Sequence, residues 1–316
     1  MLYNFLFSIN AVAPLFAIIL LGYALKKTGF ISDEFVTVGN KIIFYIALPA
    51  SVFMTVYTVD ITHLLDWRFA VFAAGASLVS FFAIWAIAAL FIKDKPILGA
   101  FAGGAFRGNF VFLGIPLLIS LTGAIGEARA ALILAFVFPV YNICTVLLLA
   151  ACSDSGKKVS FKSVGLSIVK NPFIIAIVLA VGLQLFGVYL PFAISETVRH
   201  SANMATALAL ICLGAAMKYH GFDARFKYAF VASLIKVIVL PILFGLVGFF
   251  MGFDDYDIVA FVILGGIPSA IAGYAMVVQM GGDVYIAGTI VVISTLLSAF
   301  TLTVFVYVMR VLGLVG

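Results

Sequence analysis

Two cationic residues lie deep inside long apolar stretches of this sequence. Arg107 and Lys236 each fall about ten residues, or roughly 15 Å along a helix, from the polar end of their stretch. If these stretches cross a membrane, charged groups at such a depth are costly and indicate a functional site. Every aspartate and glutamate lies in a loop or near a predicted helix end, so neither cation has a carboxylate at its own depth. An anionic substrate would supply the missing negative charge.

The two cations suit different tasks. The guanidinium of Arg107 is a rigid fork of donors that can bind both oxygens of a carboxylate. The ammonium of Lys236 would serve either as a second charge for the substrate or as a strut that binds the carbonyls of a helix end. A purely structural role is the alternative for Arg107 as well.

Two apolar stretches are interrupted by glycine and proline, and these two would form the binding pocket. The first reads GGAFRGNFVFLGIP and ends at Pro116, and the second contains Gly-Gly-Ile before Pro268. Because proline has no N–H, the carbonyls of Phe112 and Leu264 lose their helical donors. Broken helices persist in a membrane only inside protein or beside a cavity, so paired interruptions predict a transporter's binding site.

Four further polar residues are candidates for the same pocket. Asn109, between Arg107 and the first proline, can both donate and accept hydrogen bonds, or it caps the broken helix internally. Ser269 and Tyr274 occupy the second interrupted stretch. Asn142 follows a proline in another apolar stretch and would reach the pocket or bond to a neighbouring helix. We predict a substrate site formed by Arg107, Asn109, Pro116, Asn142, Lys236, Pro268, Ser269 and Tyr274.

The composition predicts an all-α, polytopic membrane protein. The chain of 316 residues is 65% hydrophobic and only 10% charged, with a mean hydropathy of +1.28. A spanning helix needs about 20 apolar residues. By that measure we predict ten spans joined by short loops, with no soluble domain: 5–26, 36–58, 69–92, 97–122, 128–152, 170–189, 196–217, 227–252, 257–281 and 284–310.

The basic residues predict an orientation. Twelve lysines and arginines flank the spans on one side and only four on the other. By the positive-inside rule the richer side is cytoplasmic, which places both termini outside the cytoplasm. We therefore expect a multi-pass protein of the cell (inner or plasma) membrane.

The two halves of the chain resemble each other at an offset of 158 or 159 residues. Glycines, prolines and basic residues recur at this offset in three pairs of spans. Each half has five spans, an odd number, so the second copy would be inverted and the shared site would lie near the midplane. The predicted units are residues 1–152, a cytoplasmic linker at 153–168, and residues 169–316. At this offset Arg107 aligns with Gly266 and Lys236 with Ser77, so the cations are not part of a duplicated packing motif.

Several function classes are disfavoured. The spacing of the three cysteines suggests neither a disulfide nor a metal site. We find no cluster of metal ligands, no pair of mid-membrane aspartates and no Ser/His dyad, so no enzyme, metal or cofactor is predicted. The net charge of +5 comes from membrane-flanking loops and does not predict nucleic-acid binding.

The interrupted stretches carry a resemblance to a known family. Asn109–Leu118 reads NFVFLGIPLL, Gly266–Ser269 reads GIPS and Leu234–Pro241 reads LIKVIVLP. Together with Leu21–Tyr23 (LGY) and Ile46–Pro49 (IALP), these motifs resemble the auxin efflux carrier family. That family includes plant auxin exporters and bacterial malonate and malate permeases. The likeness covers nearly the whole chain.

The resemblance implies ten helices in two inverted five-helix repeats, with broken helices 4 and 9. It also implies a scaffold of spans 1, 2, 6 and 7 and a moving transport unit of spans 3–5 and 8–10. Substrate would sit where the broken helices cross, and Asn109 best matches a family binding position. The chain lacks the long central loop of the plant members, so small carboxylates such as malonate or malate fit better than auxin, although an aromatic carboxylate stays open.

These observations predict a secondary transporter of small organic anions that works by alternating access. The alternatives are a sodium-coupled organic-anion symporter of the bile-acid type, or a membrane receptor that senses a substrate without moving it. The expected partners are the anion and membrane lipid. Import or export, proton coupling and a homodimer stay open.

Overall fold

The structure is a computed structural model that describes residues 2–58, 66–152, 172–216 and 223–315. Within these ranges the chain is all-helical and forms no strand. The predicted linker at 153–168 lies outside the described residues. The helices are α1 Leu2–Lys27, α2 Asp33–Thr58, α3 Trp67–Phe91, α4 Lys95–Phe106, α5 Phe110–Thr122, α6 Ala124–Cys152, α7 Pro172–Leu185, α8 Phe192–Ala216, α9 Phe226–Phe250, α10 Asp255–Gly266, α11 Ile271–Met280 and α12 Val284–Val311.

Five of these helices are long and apolar enough to cross a membrane: α2, α3, α6, α9 and α12. The predicted spans 97–122 and 257–281 are each divided into two shorter helices, α4–α5 and α10–α11. The breaks lie at the glycine- and proline-rich sequences that predict them. The chain is therefore a multi-pass helical membrane protein.

Three helices contain a widened π-turn, and each turn lies just before a proline. The turns cover Ile43–Ala47 in α2, Phe110–Gly114 in α5 and Ile235–Val239 in α9. Each proline follows two residues after its turn. Proline cannot donate to the carbonyl four residues earlier and its ring would clash there, so the extra residue in the turn relieves both problems.

The helices pack as two groups. One group consists of α1, α2, α7 and α8, in which α1 packs along α8 and α2 packs on α7 and α8. The other group contains α3–α6 and α9–α12, and its main contacts are α9 with α10 and α12, and α6 with α3, α4 and α5. The groups meet where α1 contacts α12 and α5, α2 contacts α6, and α8 contacts the π-turn of α5. Both broken helices belong to the second group.

Helices α1 and α8 touch through their backbones. A Cβ on Gly22 would lie 2.2 Å from the carbonyl oxygen of Ile211, and a Cβ on Gly214 would lie 1.9 Å from that of Ile19. Only glycine permits this approach. Small residues at helix contacts are the usual means of close packing within a membrane, where burial of apolar surface gives little drive.

Charged residues gather at opposite ends of the second group. Arg129, in the first turns of α6, lies 2.6 Å from Asp257 and 3.4 Å from Asp66, which joins the starts of α10 and α3. At the other end, Arg225 lies 2.7 Å from Asp283, which caps α12. Arg225 also hydrogen-bonds Asp223 and thereby lowers the pKa of that carboxyl. These ion pairs hold the helix ends of the group together.

We predict that Gly214→Ala destabilises the protein. The added methyl would overlap the backbone of α1, and overpacking of this kind typically costs about 1–3 kcal/mol. Thermal unfolding of the purified protein in detergent would measure the loss. Gly75→Ala is the matched control, because a Cβ on Gly75 in α3 meets nothing within 4 Å. Equal stability of the two variants would show that the α1–α8 contact does not depend on glycine.

Candidate functional site

The two broken helices cross and pair through their backbones. We call this point the crossing, formed by residues 107–110 and 267–271. The N–H of Asn109 donates to the carbonyl of Pro268 at 2.7 Å, and the N–H of Ala270 donates to that of Arg107 at 3.1 Å. Gly108 and Ser269 thus face each other in a one-residue antiparallel bridge. Each break supplies the partners that the other one needs.

The register of this bridge differs from the constant offset between the halves, which stays a prediction. The constant offset aligns Arg107 with Gly266, but the reciprocal hydrogen bonds relate Arg107 to Pro268. The connection between α4 and α5 has three residues, 107–109, whereas the connection between α10 and α11 has four, 267–270.

Arg107 lies at the end of α4 with its side chain almost completely buried, at 1% exposure. Its Nη2 donates to Oδ1 of Asn142 at 3.0 Å, and its Nη1 lies 3.3 Å from both Oγ1 of Thr145 and Sδ of Met276. The guanidinium also lies 5.8 Å from the ring centre of Phe138, within the range of a cation–π contact. These acceptors are all neutral, and no described carboxylate lies within 4 Å of Arg107.

Two buried amides accompany the guanidinium. Asn109 and Asn142 are each 4% exposed, and the Nδ2 of each lacks a hydrogen-bond partner among the described residues. Since Arg107 can only donate, the oxygen of Asn142 must face it and the NH₂ group must point elsewhere. A buried donor without a partner costs about 1–3 kcal/mol. Such groups indicate a ligand that accepts hydrogen bonds.

Lys236 is fully buried in the π-turn of α9 and points to the end of α10. Its Nζ donates to the carbonyl of Gly265 at 2.6 Å and to that of Leu264 at 3.2 Å. Leu264 has lost its helical donor because residue 268 is proline, as the sequence suggests. The N–H that would serve Gly265 belongs to Ser269 and instead donates to Oγ of Ser294 at 3.0 Å. The ammonium therefore caps the broken helix.

The other predicted residues lie around this centre. Pro268 accepts the backbone bond from Asn109, and Ser269 is buried beside α12. Pro116 is half-buried near the start of α5, after the π-turn. Tyr274 is half-buried, with its ring 3.4 Å from the position of a Cβ on Gly288, so it packs on α12. Among the described residues, neither of these last two side chains hydrogen-bonds to Arg107.

Sequence reasoning missed three residues that complete the crossing. Thr145 and Met276 accept from Arg107, and Ser294 accepts from Ser269. Thr145 lies one helical turn after Asn142 on the same face of α6, which is a signal the sequence does contain. Nothing in the sequence distinguishes Met276 from an ordinary packing residue.

The unsatisfied polar groups of this arrangement are hydrogen-bond donors, the amide NH₂ groups of Asn109 and Asn142. Arg107, which bonds to Asn142, adds one buried positive charge. Among the described residues no group of three or more His, Cys, Asp or Glu side chains could hold a metal ion. A carboxylate oxygen accepts from such donors and balances the charge.

Comparison with known proteins gives a consistent picture. The sequence profile of a family described as "Membrane transport protein" matches residues 7–306. The chain is 25% identical over 317 aligned positions to "Uncharacterized transporter YfdV" of Escherichia coli (strain K12), covering 97% of this chain and 99% of the relative. It is 26% identical to a "Putative malonate transporter" of Rhizobium meliloti (strain 1021), covering 95% of both.

A third relative is also similar over nearly the whole chain. An "Uncharacterized transporter" of Methanothermobacter thermautotrophicus is 22% identical and covers 94% of this chain and 97% of its own length. These similarities confirm the family suggested by the motifs at the two breaks, and they describe transporters rather than enzymes. The chain belongs to this family of membrane transport proteins, the auxin efflux carrier family.

Proposed function

We propose that this protein carries small organic anions, and carboxylates in particular, across the membrane by alternating access. The observation that supports this most directly is the donor set at the crossing. Arg107, Asn109 and Asn142 are buried, and the two amides have unsatisfied NH₂ groups among the described residues. Donors that lack an acceptor in the protein select a ligand that accepts, and the positive charge of Arg107 selects an anion.

The substrate class follows from the shape of the donors. A planar guanidinium matches the two oxygens of a carboxylate, and amide NH₂ groups can hold the rest of a short polar acid. The relative named as a malonate transporter agrees with a small carboxylic acid. Malonate and malate are therefore the first substrates to test.

The proposed architecture has ten spans in two inverted repeats, 1–152 and 169–316, with α4–α5 and α10–α11 as the broken fourth and ninth spans. The packing of α1, α2, α7 and α8 as one group and of the other helices as a second group supports a scaffold and a transport unit. The ion pairs agree with the proposed topology. Arg129, Asp66 and Asp257 all fall on the proposed outer side, and Arg225 and Asp283 on the cytoplasmic side. Both termini would then be extracytoplasmic, in the plasma membrane.

Within this proposal Lys236 is a strut. Its ammonium binds two carbonyls that have no other backbone donor, at the negative end of the α10 dipole. It fixes the end of the broken helix against α9, and Arg107 remains the charge that binds substrate.

We predict that Arg107→Gln abolishes carboxylate transport in a protein that still folds. Glutamine lacks the positive charge and the paired N–H donors of the guanidinium. Hydrogen bonds to charged groups contribute about 1.5–3 kcal/mol, or roughly 10- to 150-fold in affinity. Its former partners are neutral, so the fold loses little. Uptake of labelled malonate and malate into liposomes, with thermal shift as the binding assay, would measure the effect.

Arg199→Gln is the matched control, since Arg199 is an exposed arginine that pairs with Glu196 on α8. It should transport normally. Normal transport by Arg107→Gln would remove this residue from the mechanism.

Repeating the assay in sodium-free buffer separates a uniporter or proton-linked carrier from a sodium symporter, because only the symporter would stop transporting.

We predict that Lys236→Met lowers thermal stability more than it lowers substrate affinity in the folded fraction. The methionine has a similar length but leaves the carbonyls of Leu264 and Gly265 unpaired, at about 1–3 kcal/mol each. Lys41→Met, at an exposed lysine of α2, is the control for stability. Unchanged stability with lost substrate binding would instead make Lys236 a substrate ligand.

A further inference from the structure

A long apolar groove runs along the outside of the second helix group, away from the crossing. It lies between α3 and α9, has Phe101 of α4 in its lining, and encloses about 860 Å³. Its lining extends from Phe72 to Ile92 on α3 and from Lys227 to Val247 on α9. About twenty residues of helix span roughly 30 Å, so the groove is as long as the hydrocarbon core is thick.

The interior of this groove has no polar group that needs a partner. Apart from Lys227 and Tyr228 at one end, Ser80 is its one hydroxyl residue, and this hydroxyl donates to the carbonyl of Ser77 within the helix. A polar ligand would find no free hydrogen-bond partner in that part of the lining. The lining suits a hydrocarbon chain.

Among the residues that line the groove, positive charge is confined to one end. Lys227 lines that end, and Lys93 follows Ile92, which lines it from α3. Both lysines are exposed, and no described carboxylate lies within 4 Å of either. Lys227 lies 5.1 Å from the ring of Tyr228, and Lys93 lies 3.4 Å from the carbonyl of Ala89. Both ammonium groups are therefore open to an anion at the membrane surface.

We propose that this groove binds an anionic phospholipid of the cytoplasmic leaflet. Its acyl chain would lie between α3 and α9, and its phosphate would contact Lys227 and Lys93. The opposite end, near Phe72 and Val247, is lined by apolar residues only. The cation beside that end, Arg68, does not line the groove, since it donates to the carbonyl of Met251 and lies over the ring of Phe253. The lining therefore offers positive charge to one leaflet only. This inference uses the topology of the proposed function but not its substrate site.

A second copy of the chain fits this surface less well. A two-fold dimer would place groove against groove and leave two hollows facing each other, whereas stable interfaces interdigitate without voids. A flexible acyl chain fills a concave apolar channel and leaves its headgroup at the lysines.

Native mass spectrometry of the purified full-length protein would test this proposal. The probes are phosphatidylglycerol and phosphatidylcholine with identical acyl chains. We expect wild-type protein to retain phosphatidylglycerol preferentially. The double variant Lys93→Gln/Lys227→Gln should weaken that preference about 5-fold per lysine, since each lysine near an anionic headgroup contributes about that factor. Ala83→Phe, which fills the groove from an exposed position, should reduce retention of both lipids.

The control is Lys27→Gln/Lys41→Gln, which removes two exposed lysines that lie outside the groove. It should retain the wild-type preference. The proposal fails if both double variants lose the preference equally, because the effect would then be net charge. It also fails if Ala83→Phe retains both lipids as wild type does, or if it converts a dimer to a monomer without changing lipid retention. That last result would assign the groove to a second copy.

Discussion

In an apolar environment, a break in a helix frees backbone groups that water cannot satisfy, and each unpaired group costs several kcal/mol. At the crossing, most of these groups find partners in the opposite break or beside it. Asn109 and Ala270 donate across the bridge, Lys236 reaches two carbonyls of α10, and Ser294 accepts from Ser269. The breaks are therefore mutually dependent, and neither half-helix would be stable at this depth alone. The positions of the candidate residues at the breaks, Arg107, Asn109, Pro268 and Ser269, follow from that dependence.

The sequence predicts where the helices break but not how the breaks meet. Gly and Pro density identifies both interruptions, and the missing N–H of Pro268 predicts a free carbonyl at Leu264, which the structure pairs with Lys236. The register of the bridge could not be predicted, because a difference of one residue between the two turns changes which groups face each other. Sequence spacing along one helix carries no information about the rotation of the other.

The immediate surroundings of Arg107 show a second limit. Its charge and depth could be inferred, and so could the nearness of Asn142, because polar side chains are rare in these spans. The spacing of Thr145 from Asn142 puts both on one face of α6, but the bond to Arg107 could not be inferred from it, since a helical threonine ordinarily bonds to its own preceding turn, as this one also does with Tyr141. Met276 resembles any packing residue. Such partners are defined only when α4, α6 and α11 are brought together.

The two buried cations cannot be told apart in the sequence, but their hydrogen-bond acceptors in the structure give them different roles. The carbonyls that bind Lys236 lie at the C-terminal end of α10, where the helix dipole adds negative potential, so its charge is partly balanced by the fold itself. Arg107 faces a neutral amide, a hydroxyl and a thioether, which satisfy hydrogen bonds but carry no net charge. The charge that these surroundings leave unbalanced is therefore that of Arg107. The unsatisfied amide of its partner Asn142 places a further donor beside that charge, which supports the proposed carboxylate site.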